Sequence, residues 1–316
     1  MSKSSIRKEY FWKYYLEWMK TYKDGAVADC TYKKYVSTQG WIRKLLLNTT
    51  VGALDRGKYQ KMINQYAKYH EKQTTTDFHH QVKACVRDML YEGYIDRDPT
   101  WNVVVKGKPH KKKHEKFLQV DEYKKLIQNL DLSHPIDWNW AILLIAKTGL
   151  RFAEMLAITP ADFDFKRRCL TVDKTWDYRS PIGGFKKTKT ITSNRAISLD
   201  WQILGMFKPQ IENLPKDEPI FVKKCEAGHY KRVFNATLNQ RLFTLCKQQG
   251  ISHISIHGLR HTHASVLLAN GVSINAISER LGHANVSITQ EVYAHVLDEL
   301  RVKDDQKIMA VMMEVS

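Results

Sequence analysis

His257-Gly258-Leu259-Arg260-His261-Thr262-His263 opens the stretch on which the reading of this chain turns. An apolar run from Ala264 to Leu268 follows, then a turn at Gly271, a second apolar run, and a close on Leu281-Gly282-His283 and Tyr293. On a helix His257 and Arg260 are three residues apart, so they share a face and can grip one object. His283 is offered at a glycine turn, and Tyr293 lies one short element further on. Two imidazoles, a guanidinium and a phenol suit an anion that undergoes acyl- or phosphoryl-type transfer. No carboxylate stands among them, so they do not look like a magnesium cage.

The totals point to the anion. The chain has 316 residues and a formal net charge of +17, a length that suggests two domains at ~150 residues each. A hydrophobic content of 43% is ordinary for a globular chain and argues against wholesale disorder. So large a positive charge makes polyanions the natural partners. Nucleic acid fits better than membrane, because no apolar run reaches transmembrane length and no basic amphipathic helix stands alone. Met1 to Ser5 lead straight into a charged, aromatic helix rather than a signal peptide. Five scattered cysteines (Cys30, Cys85, Cys169, Cys225, Cys246) make no disulfide framework and point to a reduced, cytosolic protein. Cys225-x3-His229 lacks a second ligand pair, so no metal site is expected there.

Read in order, residues 6 to 22 carry Tyr10, Phe11, Tyr14, Tyr15, Trp18 and Tyr22, a helix with a wide aromatic face that serves as core. Helices are expected over 31–46 and 59–69, with a break at Asp55-Arg56-Gly57. Thr74 to Asp77 provide the N-cap signal of a fourth helix ending near Gly93. Residues 1–105 thus form a small helical domain. Residues 106–116, nearly all basic, read as an exposed linker, with Lys108, Lys111, Lys112, Lys113 and Lys116 as candidate phosphate contacts. The second domain, 117–316, should hold helices from Val120 to Leu130 and from Trp138 to Lys147, and a further helix after the Thr148-Gly149-Leu150-Arg151 turn. Strands are expected at Cys169–Val172 and over 189–199 around a Gly183-Gly184 turn, then helices at 201–207 and 235–247. The fold class is mainly α with a small inserted antiparallel sheet.

Singly, Arg151, Lys189, His257-x2-Arg260 and His283 are weak signals. In order they resemble the tyrosine recombinase, or phage integrase, family, with a look closest to integrases of temperate phages and conjugative elements. The resemblance is dense in Thr148-Gly149-Leu150-Arg151-x2-Glu154, in Lys189-Thr190-x2-Ser193-x-Arg195, in His257-x-Leu259-Arg260-His261-Thr262-x-Ala264 and in Leu281-Gly282-His283-x9-Tyr293. It covers the second domain, and the helical first domain resembles the family's core-binding (SAM-like) domain.

The resemblance implies that Tyr293 attacks a DNA phosphodiester to give a 3′-phosphotyrosyl link. Arg151 and Arg260 would clamp the transition state and His283 would add a hydrogen bond. His257 would assist proton transfer at the tyrosine, and Lys189, chosen over Lys186 and Lys187 by its spacing to Ser193 and Arg195, would protonate the leaving oxygen. Glu154 would buttress Arg151, and Arg195 would join the linker lysines as a DNA contact. His261 and His263 fall on other faces and read as packing or backbone-binding residues. Tyr15, Tyr178 and Tyr230 follow no Leu-Gly-His and are set aside. The implied partners are double-stranded DNA attachment sites, a homo-tetramer assembled through a tail helix over about 297–316, and a DNA-bending host factor and an excisionase. No cofactor is implied, and the implied setting is the cytoplasm of a bacterial cell. A resolvase or invertase, a type IB topoisomerase, and a helix-turn-helix regulator built on residues 273–296 remain as alternatives. Many such integrases carry an arm-binding domain ahead of the core-binding helices; this chain begins almost at those helices.

Overall fold

The computed structural model describes residues 2–109, 117–188, 191–287, 289–290, 293, 308–309 and 312–313. The chain divides into two compact units, 1–112 and 113–316.

The first unit is helical: α1 (Lys3–Lys8), α2 (Phe11–Lys23), α3 (Asp29–Leu45), α4 (Arg56–Ala67) and α5 (Lys72–Tyr91). The expected first helix is two helices. Glu9 and Tyr10 adopt extended conformation, and Tyr10 pairs with Thr50 in an isolated bridge. The aromatic face does go inward, with Phe11, Tyr15 and Trp18 buried against Ile42, Met62 and Val86. Asp55 caps α4 by accepting the Lys58 N–H. The threonines read as a cap for α5 lie inside it, where Thr75 and Thr76 donate to the carbonyls of Glu71 and Lys72. These threonines satisfy helix carbonyls instead of a helix start. Lys108 is tied back by its N–H to the His70 carbonyl. Lys111, Lys112, Lys113 and Lys116 lie outside the described residues.

The second unit runs α6 (Val120–Gln128), α7 (Trp138–Thr148), α8 (Phe152–Leu156), β1 (Phe163–Asp164), β2 (Cys169–Val172), β3 (Lys174–Trp176), β4 (Phe185–Lys187), β5 (Arg195–Ser198), α9 (Trp201–Ile211), α10 (Asn235–Gln249), α11 (Ile256–Ala269) and α12 (Ile274–Leu281). The insertion is two small antiparallel sheets rather than one. β1, β2 and β5 form the first, with Leu170 opposite Ile197, both buried. β3 and β4 make a hairpin that carries Gly183 and Gly184 between its strands. The strand expected over 189–199 is shorter, because Ile191–Ser193 form a 3-10 turn before β5; Lys189 lies outside the described residues.

α7 is apolar nearly all round and buried except at Trp138 and Lys147, the signature of a central core helix. α11 packs across it, with His263 Nδ1 paired to the Ala146 carbonyl, and is tied to the segment before α6 by the Leu118 N–H, which donates to Thr262 Oγ1. Asp137 caps α7, Ser255 caps α11 and Ser273 caps α12, each offering a side-chain oxygen to first-turn N–H groups. Gly149 ends α7 at φ +69°, where an added Cβ would meet His263 and Leu281, both at 2.8 Å. That close approach lets α7, α11 and the end of α12 meet. Residues 308, 309, 312 and 313 are helical and expose Ile308, Met309, Met312 and Met313; the rest of the expected tail helix lies outside the described residues.

Candidate active site

Three arginines, from the start of α8, from β5 and from α11, converge on a single carboxylate. Glu154, on the first turn of α8, is 1% exposed. Arg151 Nη1 donates to its Oε1 at 2.6 Å. Arg195, entering β5, donates through Nη2 to Oε2 at 2.9 Å and through Nη1 to Oε1 at 3.2 Å. Arg260 Nη1 stands 3.9 Å from Oε2. Glu154 also accepts the Arg151 N–H at 2.9 Å, closing a capping arrangement at the start of α8. Burial works against its charge, but the bonds from Arg195 and the charges of Arg195, Arg151 and Arg260 win and hold the carboxyl below the usual range.

The same arginines finish the C-terminus of α12. Its last carbonyls have no partner within the helix and carry the negative end of the helix dipole. Arg195 Nε donates to the Arg280 carbonyl at 2.7 Å, Arg260 Nη2 to Leu281 at 2.8 Å and Arg151 Nη2 to Gly282 at 2.9 Å. Three consecutive carbonyls thus receive three guanidinium groups. Gly282 sits at φ +67°, and a Cβ there would come within 2.9 Å of Arg195 Nη1.

These bonds separate the arginines into two kinds. Arg195, expected on DNA, is turned inward with 7% of its side chain exposed, and Glu154, Ser193 and Arg280 take its donors. It is a support for the cluster, not a phosphate contact. Arg151 keeps 36% of its side chain exposed. Arg260 is 2% exposed, and its bonds to the Gly149 and Leu281 carbonyls use two of the five N–H donors of a guanidinium. Burial, then the neighbouring Arg151 charge, pushes Arg260 down to about 9, which still leaves it cationic at neutral pH. An anion here would relieve that crowding of like charge.

The histidines and the tyrosine complete the geometry. His283 follows Gly282, and its Nδ1 lies 2.8 Å from Thr289 Oγ1. Burial, then the charges of Arg260 and Arg151, lowers it to about 4, so it is a neutral imidazole. His257, on the first turn of α11, is exposed at the surface, and desolvation followed by the Arg260 charge also lowers its pKa. Tyr293 is 1% exposed and packs with Ala264, Leu268, Ile277 and Leu281. Burial raises its phenol to about 12, against the pull of Arg260.

The partner of that phenol was not legible from sequence. Tyr293 Oη lies 3.0 Å from His261 Nδ1, so His261 does not belong with the packing residues. His263 does, buried between the Ala146 carbonyl and Arg280, whose Nε donates to its Nε2 at 3.0 Å. Arg280 was also missed: it ties α12 to the carbonyls of Lys147 and Ser198. Cys225 and His229 face each other through backbone, the Cys225 N–H donating to the His229 carbonyl at 2.7 Å in a tight turn.

The chain itself has known relatives. A sequence model of the phage integrase family matches residues 116–299, more than half of the chain. The chain belongs to the phage integrase family. It is 25% identical over 296 residues to a XerC-like tyrosine recombinase of Caldanaerobacter subterraneus subsp. tengcongensis, covering 83% of this chain and 74% of that protein. Against the ICEBs1 integrase of Bacillus subtilis strain 168 it is 29% identical over 218 residues, covering 66% of this chain but only 57% of the relative. The fold matches the Tn1549 transposon integrase, solved in complex with a circular intermediate DNA, with a TM-score of 0.75 at 17% identity over 93% of this chain and 98% of that one. The family comprises the tyrosine recombinases, enzymes that transfer DNA strands. Among the described residues no helix is long and apolar enough to cross a membrane.

Proposed function

We propose that this chain catalyses site-specific exchange of DNA strands, with Tyr293 as nucleophile, and that it integrates or excises a mobile element. The observation that carries this reading is the Glu154-centred cluster, whose Arg151 and Arg260 both act on His283 and whose Arg260 acts on Tyr293. Such a cluster is a rigid, prepaid cationic socket. Negative charge that builds on a pentacoordinate phosphorus would be met by donors already in place, which lowers the barrier without reorganisation. His283, neutral, can donate a hydrogen bond, and His257 shares a face of α11 with Arg260. Lys189 would protonate the leaving 5′-oxygen from its place after the β3–β4 hairpin. The phosphotyrosyl link conserves the energy of the broken ester, so rejoining needs no nucleotide.

In this reading residues 1–105 are a core-binding domain, and lysines of the 106–116 linker, Lys108, Lys111, Lys112, Lys113 and Lys116, lie along phosphates. With a net charge of +17, affinity would fall steeply with salt. The active assembly would be a homo-tetramer on paired attachment sites in the bacterial cytoplasm, joined by the tail helix over about 297–316, with a DNA-bending factor and an excisionase as accessory partners.

The test is a plasmid carrying both ends of the element as paired sites, incubated with the chain alone. Exchanged products with flanks recombined between sites support the proposal. Relaxed plasmid with no exchange would favour a topoisomerase instead, and tight binding without any cut would favour a regulator.

A further inference from the structure

Tyr293 needs a proton acceptor, and α11 supplies one that its sequence pattern does not advertise. We propose that His261 is the general base that takes the hydroxyl proton of Tyr293, an assignment that rests on Tyr293 being the nucleophile. Its Nδ1 stands 3.0 Å from Tyr293 Oη, within the range for direct proton transfer. The two rings meet edge to face with centroids 5.8 Å apart, which fixes the direction of approach. His257, one turn earlier, lies edge-on to His261 at 4.5 Å; it borders the base, while His261 touches the hydroxyl.

The backbone beneath His261 is pinned on both sides. Arg260, just before it, holds the Gly149 and Leu281 carbonyls, and Thr262, just after it, holds the Gly258 carbonyl and accepts the Leu118 N–H. A base so anchored keeps its aim when the nucleophile moves. A cavity of about 730 Å³, lined by Asn239, Gln240, Phe243, His253, His257 and His261, gives the imidazole a route by which its proton can reach water. Because burial keeps the phenol neutral at physiological pH, a proton must leave as the bond to phosphorus forms.

The step balances as follows. The Oη–H bond of Tyr293 breaks and its proton passes to His261 Nδ1, leaving an imidazolium. The oxygen forms its bond to phosphorus as the bond from phosphorus to the 5′-oxygen breaks, and that oxygen takes a proton from Lys189. In rejoining, Lys189 recovers its proton from the attacking 5′-hydroxyl and His261 returns its own to the departing phenolate.

The experiment is single-turnover cleavage of a nicked duplex carrying one end of the element, by the full chain and by His261→Asn. The amide of asparagine can accept the hydroxyl's hydrogen bond near the former Nδ1 position but cannot take the proton. Cleavage should slow by about 10²-fold or more with DNA affinity unchanged. Placing 3-fluorotyrosine, a more acidic phenol, at position 293 should recover much of that loss. A 5′-bridging phosphorothiolate substrate, which removes the need for a leaving-group acid, should not. Wild-type cleavage by His261→Asn, or a loss that fluorotyrosine leaves untouched, would overturn the assignment. If the asparagine variant lacks the thermal transition of the parent, His261→Gln replaces it with the same readings. Absence of any adduct from the unsubstituted chain sinks the nucleophile reading itself; an adduct formed at full rate by the variant sinks the His261 assignment alone.

Discussion

Among the described residues the same tyrosine–histidine pair occurs twice. In the helical unit Tyr59 Oη lies 3.1 Å from His79 Nδ1, with ring centroids 5.8 Å apart and planes at 73°. In the second unit Tyr293 and His261 stand at 3.0 Å, 5.8 Å and 66°. Both tyrosines are buried, at 0% and 1% exposed. What differs is the field around them. Tyr59 sits among Met62, Ile63, Phe78 and Val82, and burial together with the charge of Asp98 pushes its phenol well above the ordinary value. Tyr293 lies where Arg260 pulls the other way. Pair geometry alone is a structural hydrogen bond; a cationic socket beside it is what turns one phenol into a candidate nucleophile.

The comparison breaks most sharply if its field is removed. Arg260→Ala deletes the cation acting on Tyr293 and should reduce single-turnover DNA cleavage on the order of 10³-fold. A variant that cleaves within ten-fold of the parent would show that the field is not the difference between the pairs. Next in size is Glu154→Gln, which leaves three guanidinium groups without their carboxylate. Breaking such a buried partnership costs about 3–5 kcal/mol, so a fall of that order in urea-unfolding free energy is expected, together with slower cleavage. Unchanged stability would mean that the backbone carbonyls of α12 hold the arginines unaided.

A pH measurement sharpens the contrast between buried histidines. His79 is lowered to about 4 by burial and then the charge of Lys83, and His263 to about 3 by burial and then Arg280. In the unfolded chain both would protonate near the ordinary value of 6.5, so between there and their folded values the unfolded state binds more protons. Stability is therefore full above about pH 6.5 and falls on acidification, on the order of 1 kcal/mol per pH unit for each histidine. Denaturation at pH 7 and pH 5 checks the sign; greater stability at pH 5 contradicts it. The smallest effect belongs to Tyr59→Phe, which forfeits one hydrogen bond, about 1 kcal/mol, and should leave cleavage of DNA at the parental rate.

How much of this was readable in the residues follows from what each signal depends on. Helices such as α7 and α11 were visible because the apolar runs Trp138 to Lys147 and Ala264 to Leu268 and the turn at Gly149 show in the residues; their caps, Asp137 and Ser255, emerged only in the structure. The division of the first helix at Glu9 was not, since it depends on a long-range bridge from Tyr10 to Thr50. The ordered set Arg151, His257, Arg260, His283 and Tyr293 was read through its resemblance to the phage integrase family, because each residue singly is a weak signal. The inward role of Arg195 was hidden, because it depends on the α12 terminus brought to β5 from 85 positions away in the chain. His261 was misplaced for two reasons: four residues after His257 it shares that residue's face, where the rings meet at 4.5 Å, and Tyr293 comes to it from a distant part of the sequence.

The central claim is that Tyr293, and no other tyrosine, bonds to DNA. The direct measurement is covalent trapping on a nicked suicide duplex, followed by digestion and mass spectrometry of the DNA-linked peptide. The account predicts one adduct, at Tyr293, formed equally by the parent and Tyr59→Phe and lost in Tyr293→Phe. An adduct that persists in Tyr293→Phe, or that maps to another tyrosine, would contradict it.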